Sequence, residues 1–513
     1  MGFFRFWKRD SSVEFRHPLP MSSASCNAPL LRPFVAGRFV ETANRRQLLA
    51  PYDRRVLGEV CDCGQAEIDE ALRAAESALA ITRRLTTDKR AAICTAIAKG
   101  LLAAQERLAH AICDDAGKPI ADARAEVTRA VLCFELAAAE VLTTSGEGQV
   151  LPMDLAPLGY GRTGILRRFP LGPIAAISPF NFPLNLLVHK VAPAIAAGCP
   201  IVCKPASQTP SVALVLAEII QAAGWPSGAL SVVPATRAAA DLLVTDDRCK
   251  LLTFTGSAPV GWDMKARAGK KKVTLELGGN AAVIIDETCS DHDLETIVPK
   301  LVYGAYSYSG QKCISIQRVY VVAKQGDRLY RAVCERLQAA VAVIKVGDPH
   351  DPAVLVGPMI DEHNARRVES WVAEAENLGA RRLCGGERQG TFLPPTLLAE
   401  APAGARVVRD EVFGPVCHLD RVASFEAALA AVNDSRFGLQ AAVFTHDLGH
   451  ALRAHEELCV GAVILNEAPS FRIDHMPYGG VKDSGLGREG IRSAIVDMTE
   501  PRLLITGALP SAH

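Results

Sequence analysis

Apolar positions along this chain follow two alternating rhythms, a period of about 3.6 residues and short unbroken runs. Residues 66–80 and 89–104 are alanine-rich with Ile and Leu recurring at helical spacing, which predicts two amphipathic helices. Residues 173–177 and 200–203 are short apolar runs that read as strands. Residues 211–223 read as a helix, stopped by Gly224-Trp225-Pro226. Strands separated by helices need crossover connections, which make neighbouring strands parallel. The expected class is α/β. Residues 146–168, rich in Gly and Pro, interrupt this rhythm and are too polar for a core strand, and no internal repeat or low-complexity segment is visible.

At 513 residues the chain exceeds the size at which single cores stop growing, so two or more domains are expected. The 56 Lys+Arg balance 56 Asp+Glu, which gives no electrostatic reason to expect a nucleic-acid partner. Fifteen cysteines show no repeating spacing, and Cys61-Asp62-Cys63 has no second pair to complete a zinc site. Neither structural metal nor disulfides are expected, which fits a reducing cytoplasm. No apolar run approaches the roughly 20 residues that span a bilayer, so no membrane partner is expected.

Residues 1–28 differ in character. The opening Met1-Gly2-Phe3-Phe4-Arg5-Phe6-Trp7-Lys8-Arg9 breaks into charge too early for a secretory signal, and Phe6 stands where myristoylation requires Ser or Thr. A start mislabelled upstream of Met21, or a disordered tail, is the expectation. A transit peptide or surface anchor is the alternative.

Three glycine-rich segments compete as a phosphate loop. Gly159-Tyr160-Gly161-Arg162-Thr163-Gly164 has no strand before it, and Pro170 closes off any following helix. Gly485-Leu486-Gly487-Arg488-Glu489-Gly490 also lacks a preceding strand. In Leu251-Leu252-Thr253-Phe254-Thr255-Gly256-Ser257-Ala258-Pro259-Val260-Gly261, by contrast, an apolar strand runs into a glycine turn and a helix start. Such a turn leaves backbone N–H groups free to face a pyrophosphate. Its plain alternative is an ordinary strand-to-helix turn.

Candidate chemistry sits in two further segments. Leu275-Glu276-Leu277-Gly278-Gly279-Asn280 offers a glutamate beside a glycine turn, and Ser309-Gly310-Gln311-Lys312-Cys313-Ile314-Ser315 places a cysteine 37 positions later. A general base and a sulfur nucleophile together suggest covalent redox chemistry on a carbonyl. Taken singly, Cys313 would more often be a buried apolar residue and Glu276 a solvated charge.

These segments resemble the aldehyde dehydrogenase superfamily. The likeness extends through Ser178-Pro179-Phe180-Asn181-Phe182-Pro183, Lys204-Pro205-Ala206, Phe254-Thr255-Gly256-Ser257 and Glu411-Val412-Phe413-Gly414-Pro415, in the family's order, across roughly residues 30–507. It implies a Rossmann-type NAD(P)-binding domain (29–145 and 169–275), an α/β catalytic domain (276–483) and a β oligomerisation arm (146–168 and 484–513). A homodimer or homotetramer is implied with it.

In the resemblance, Cys313 attacks the aldehyde, Asn181 and the cysteine's own N–H hold the oxyanion, and Glu276 activates the water that hydrolyses the thioester. Ser178, Phe180, Lys204, Ser207, Gly256, Ser257, Gly261, Leu277, Glu411 and Phe413 fall at cofactor positions. The family's lysine at Lys204 holds the adenosine ribose, and three residues later it often has a glutamate, where this chain has Ser207. A glutamate would repel a 2'-phosphate, so NADP is expected to be accepted alongside NAD. Presence of Glu276 favours hydrolysis to a free acid over coenzyme-A acylation. A non-catalytic oligomeric binding or scaffold protein is the alternative from another class. Arg129, Lys312 and Arg472 could hold an anionic substrate tail. The whole chain looks closest to the lactaldehyde, non-phosphorylating glyceraldehyde-3-phosphate, phosphonoacetaldehyde and succinate-semialdehyde branch.

Overall fold

The computed structural model describes residues 29–144, 148–323 and 326–507; the expectations for residues 1–28 lie outside the described residues. The helical periodicity finds its burial. Helix Gln65–Thr82 turns Ile68, Ala71, Leu72, Ala75 and Ala78 inward, and Thr87–Ala103 turns in Ala91, Cys94, Ile97, Ala98 and Leu101. Helix Asn185–Ala197 is buried along its whole length. Removing one such core side chain, as in Leu72→Ala, costs about 2–5 kcal/mol through lost transfer energy and the cavity left behind.

Five parallel strands form the centre of an eight-stranded sheet, in the order Lys272–Glu276, Leu251–Thr255, Ile174–Ile177, Ile201–Lys204, Leu230–Val232. The chain begins in the middle with Ile174–Ile177, winds outward to Leu230–Val232, then returns to lay Leu251–Thr255 on the other side. The order therefore reverses between Ile174–Ile177 and Leu251–Thr255. A crevice opens at the carboxyl ends of strands flanking such a point, the usual ligand position in open α/β sheets.

Residues 277–281 carry the chain directly from the end of Lys272–Glu276 into Ala282–Ile285, the centre of a second, seven-stranded sheet. In that sheet only the edge strand Arg381–Cys384 is antiparallel to its neighbour. The short connection brings the carboxyl ends of the first sheet to face the amino ends of the second.

The segment 146–168 does supply strands, but in a separate antiparallel ribbon: Gln149–Pro152 pairs Thr163–Pro170, which pairs Thr499–Thr506. Its polarity is that of an exposed ribbon. The C-terminal share of this arm is narrower than 484–513. Gly485–Leu486 instead pairs the edge of the first sheet, and Ile491–Asp497 buries Ile491, Ala494 and Ile495 in the first domain's core. Residues 146–147 and 508–513 of that expected arm lie outside the described residues. Among the described residues no helix is long and apolar enough to cross a membrane.

Candidate active site

One cavity of about 450 Å³ opens between the two sheets. The first sheet contributes the ends of its strands: Ser178, Phe180 and Asn181 follow Ile174–Ile177, Gly256 and Ser257 follow Leu251–Thr255, and Glu276 closes Lys272–Glu276. The second sheet contributes Cys313, which stands before strand Arg318–Val322, and Glu411 and Phe413, which stand before Val416–Val422.

Cys313 is delivered by a strained turn. Tyr308 (φ 52°) and Ser309 (φ 56°) lie in the left-handed region, which costs a non-glycine residue roughly 1–2 kcal/mol. Fixed partners hold them there: Tyr308 N–H donates to Leu355 O at 3.1 Å, and Ser309 Oγ to Gly357 O at 2.7 Å. Cys313 Sγ lies 3.0 Å from Tyr478 Oη. Burial pushes the Cys313 thiol up to about 11, while the Tyr478 hydroxyl and the Arg472 charge pull it down. The resting thiol is therefore protonated near neutral pH.

Asn181 is buried, and its Nδ2 donates to Gln311 O at 3.0 Å across the domain boundary. Glu276 is 2% exposed, and neither carboxylate oxygen has a hydrogen-bond partner. Burial first, and the Glu489 charge second, raise its carboxyl well above the usual range, against Arg472 and Lys190. Glu489 itself stays well below that range: burial opposes its ionisation, but Lys190 (2.7 Å) and Arg472 (3.1 Å) outweigh it.

The remaining lining fits a dinucleotide. Ser178 Oγ is buried without a partner, an unused hydroxyl directly beside the crevice. Glu411 lies across Gly278, where an added Cβ would stand 2.1 Å from its carboxylate, and it accepts the Gly279 N–H at 3.0 Å. Burial raises the Glu411 carboxyl to about 7. Phe180 and Phe413 meet edge-on with centroids 5.8 Å apart, giving an apolar stretch of the lining. Leu277 completes the lining.

Three expected cofactor residues lie outside this cavity. Lys204 ends strand Ile201–Lys204, and burial lowers its ammonium to about 8, a state that a bound anion would relieve. Ser207 is exposed just beyond it. Gly261 is buried in helix Ala258–Arg267, where a Cβ would stand 2.5 Å from Leu277 Cδ2, so its role is close helix-to-strand packing.

The three cations expected at a substrate tail do not stand free, and none lines the cavity. Arg129 grips Asp474 at 2.6 and 3.1 Å. Arg472 pairs with Glu489 and stacks on the Tyr478 ring at 3.7 Å. Lys312 donates to Tyr303 O at 3.2 Å and to Ser307 Oγ, and burial lowers it to about 8. A buried cation without a partner would be too costly, so the fold supplies one to each. Cys133 and His189 gather at the same Asp474, whose carboxylate is already satisfied by Arg129, Asn185 and His189.

Sequence reasoning missed Asn364 and Arg367, which enter the cavity from helix Glu362–Asn377. It also missed Tyr478, Lys190 and Glu489. Each is a single polar residue within an ordinary segment, and no local signal marks it.

A thiol, an amide donor and a carboxylate facing a dinucleotide-type crevice suit a class of enzyme that oxidises carbonyls through a covalent sulfur adduct. The model of the aldehyde dehydrogenase family matches residues 39–504. The 3-sulfolactaldehyde dehydrogenase of Priestia megaterium is 38% identical over 473 residues, 92% of this chain and 97% of that protein. Aldehyde dehydrogenase 21 from Physcomitrella patens, solved with the reaction product succinate, superposes with a TM-score of 0.90 at 42% identity, covering 93% of this chain and 98% of that one. The NADP-dependent glyceraldehyde-3-phosphate dehydrogenase from Bacillus halodurans, complexed with NADP, gives 0.89 at 33% identity, covering 93% and 99%. The chain belongs to the aldehyde dehydrogenase family. It is an NAD(P)-dependent oxidoreductase acting on small aldehydes.

Proposed function

We propose that Cys313, its thiol proton first given up to solvent, adds as thiolate to the aldehyde carbon while the Asn181 amide and the Cys313 N–H hold the developing oxyanion. The observation that carries this reading is the meeting of Cys313, Asn181 and Glu276 in one cavity, from strand ends and turns of two sheets. Ser178, Phe180, Gly256, Ser257, Leu277, Glu411 and Phe413 would hold the cofactor, with Lys204 and Ser207 at its adenosine end. The nicotinamide supplies the hydride acceptor. Glu276 then takes a proton from water, and the hydroxide releases the acid from Cys313 as thiolate. Its raised carboxyl suits a base that works only once ionised.

The substrate we propose is a short aldehyde with an anionic tail, as the names of the sulfolactaldehyde relative and of the succinate-bound neighbour suggest. Arg129 lies outside the cavity and is paired with Asp474, but its side chain keeps 28% exposure, so it is the cation assigned to that tail by trading part of its Asp474 pairing for the substrate, whereas the Lys312 and Arg472 side chains are buried. NADP is proposed as an accepted cofactor alongside NAD, because Ser207 brings no negative charge beside Lys204. A homodimer or homotetramer built through the arm fits the exposure of Leu503, Leu504 and Ile505 on its last strand. The free cysteines fit a reducing cytoplasm.

The test is a panel of short aldehydes with and without carboxylate, sulfonate or phosphate tails, assayed on wild type, Cys313→Ser and Arg129→Met. Cys313→Ser should lose turnover yet keep cofactor binding, and Arg129→Met should raise KM for the anionic members only. Full activity of Cys313→Ser would overturn the mechanism, and equal KM changes across the panel would overturn the tail assignment.

A further inference from the structure

Lys118 and Glu126 form an ion pair whose side chains are both 0% exposed, outside the cavity and unused by the chemistry above. A fold gains little from such a pair over packed apolar side chains. The contacts around it are more telling.

Glu126 Oε1 accepts the N–H groups of Leu184 at 2.9 Å and Asn185 at 3.1 Å, closing the entry to helix Asn185–Ala197. That entry follows Asn181 in the chain. Lys118 Nζ lies 3.5 Å from the centroid of the Phe182 ring and 4.7 Å from that of Tyr308. These two rings meet edge-on at 6.4 Å. Phe182 adjoins Asn181, and Tyr308 opens the left-handed turn that leads to Cys313. Tyr308 Oη also donates at 3.3 Å to Ala116 O, at the end of helix Gln105–Ala116 and two positions before Lys118. One buried ammonium thus ties the neighbour of the oxyanion donor to the turn before the nucleophile. Asn181 Nδ2 donating to Gln311 O closes the ring.

We propose that Lys118 and Glu126 are positioning residues that set the separation between the Asn181 amide and the Cys313 sulfur. The proposal rests on the roles given to Asn181 and Cys313 above. Phe182 and Tyr308 belong to different domains, so backbone connectivity alone does not fix their spacing; the shared cation does. A displacement of about 1 Å at a reacting centre can cost on the order of 100-fold in rate.

The deciding variant is Lys118→Met/Glu126→Gln. It leaves no unpaired buried charge, fills the same space and keeps an oxygen for the Leu184 and Asn185 N–H groups. Its kcat should fall about 100-fold, while KM for aldehyde and cofactor shifts less than about 3-fold. Alkylation of Cys313 by iodoacetamide, which needs the sulfur but no oxyanion donor, should proceed at the wild-type rate. Phe182→Leu, which leaves the Lys118–Glu126 pair in place but removes the ring over which the ammonium lies, should show the same split more mildly and serves if the double variant does not fold. Wild-type kcat in the folded variant, or kcat and alkylation falling together with Tm, overturns the proposal. Cys313→Ser measured in parallel separates the failures: activity there removes the underlying mechanism, whereas inactivity there with a fully active double variant removes the positioning role alone.

Discussion

At the scale of single residues, Glu276 concentrates the energetics of the site. Its carboxyl is raised by burial and by Glu489, and the base role proposed for it needs the ionised form, so kcat should climb with pH through that raised value. Lys190→Met removes a charge that favours ionisation, and should move this rise to higher pH; an unmoved profile would mean that another group sets it. Glu276→Gln should give one burst of NAD(P)H and then stall, with steady-state turnover down by about 10²–10⁴-fold. Unchanged turnover would show that a different base serves. The same variant has a stability signature. A carboxyl whose folded pKa is raised stabilises the fold below its ordinary value near 4.5, and that contribution is lost as pH rises toward the folded value. Glu276→Gln abolishes this loss, so its Tm advantage over wild type should widen as pH rises above the ordinary carboxyl range, measurable by calorimetry. Cys313, Glu276 and Asn181 were legible because each sits in a distinctive local string. Lys190 and Glu489 were not, since 299 positions separate them and only the packing of a buried helix on the C-terminal segment brings their charges together.

At the scale of elements, periodicity placed helices Gln65–Thr82, Thr87–Ala103 and Ser211–Ala222 and strands Ile174–Ile177 and Ile201–Lys204 within a few residues, because each buries residues that its own sequence spells out. The arm was harder. Thr163–Pro170 and Thr499–Thr506 pair along eight residues, yet neither shows a buried alternating face. Leu503, Leu504 and Ile505 remain 43%, 60% and 50% exposed. Burying such side chains against a second subunit is worth about 1.5–3 kcal/mol each, so replacing all three by Ser should dissociate the proposed oligomer with little loss of the subunit's own stability. Light scattering after size exclusion reads this directly, and an unchanged mass would exclude the arm as the interface. The chain before Thr499 also explains why 484–513 divides: Ile491 and Ile495 are core residues, and a segment with core residues folds with the core it serves.

At the scale of the whole molecule, the cavity exists because two sheets share a five-residue connection, 277–281, and face each other end to end. Cofactor bound there links both domains, so NADP at 100 times its Kd should stabilise the protein by about 2.7 kcal/mol and raise Tm. Ser207→Glu should remove most of that shift for NADP and little of it for NAD, through repulsion of the 2'-phosphate. Equal shifts for both cofactors in wild type and variant would show that Ser207 has no part in the choice. What the sequence determined by itself is the α/β class and the strand-to-turn segments, with the side chains proposed to react, since these follow from short-range periodicity and local motifs. The tertiary structure alone decided which charges meet. It paired Arg129 with Asp474, buried Lys312 and Arg472, turned Arg367 into the cavity and set Lys118 between Phe182 and Tyr308. Electrostatic partners act through distances of a few ångströms across long stretches of chain, and no local pattern records a distance that only packing creates.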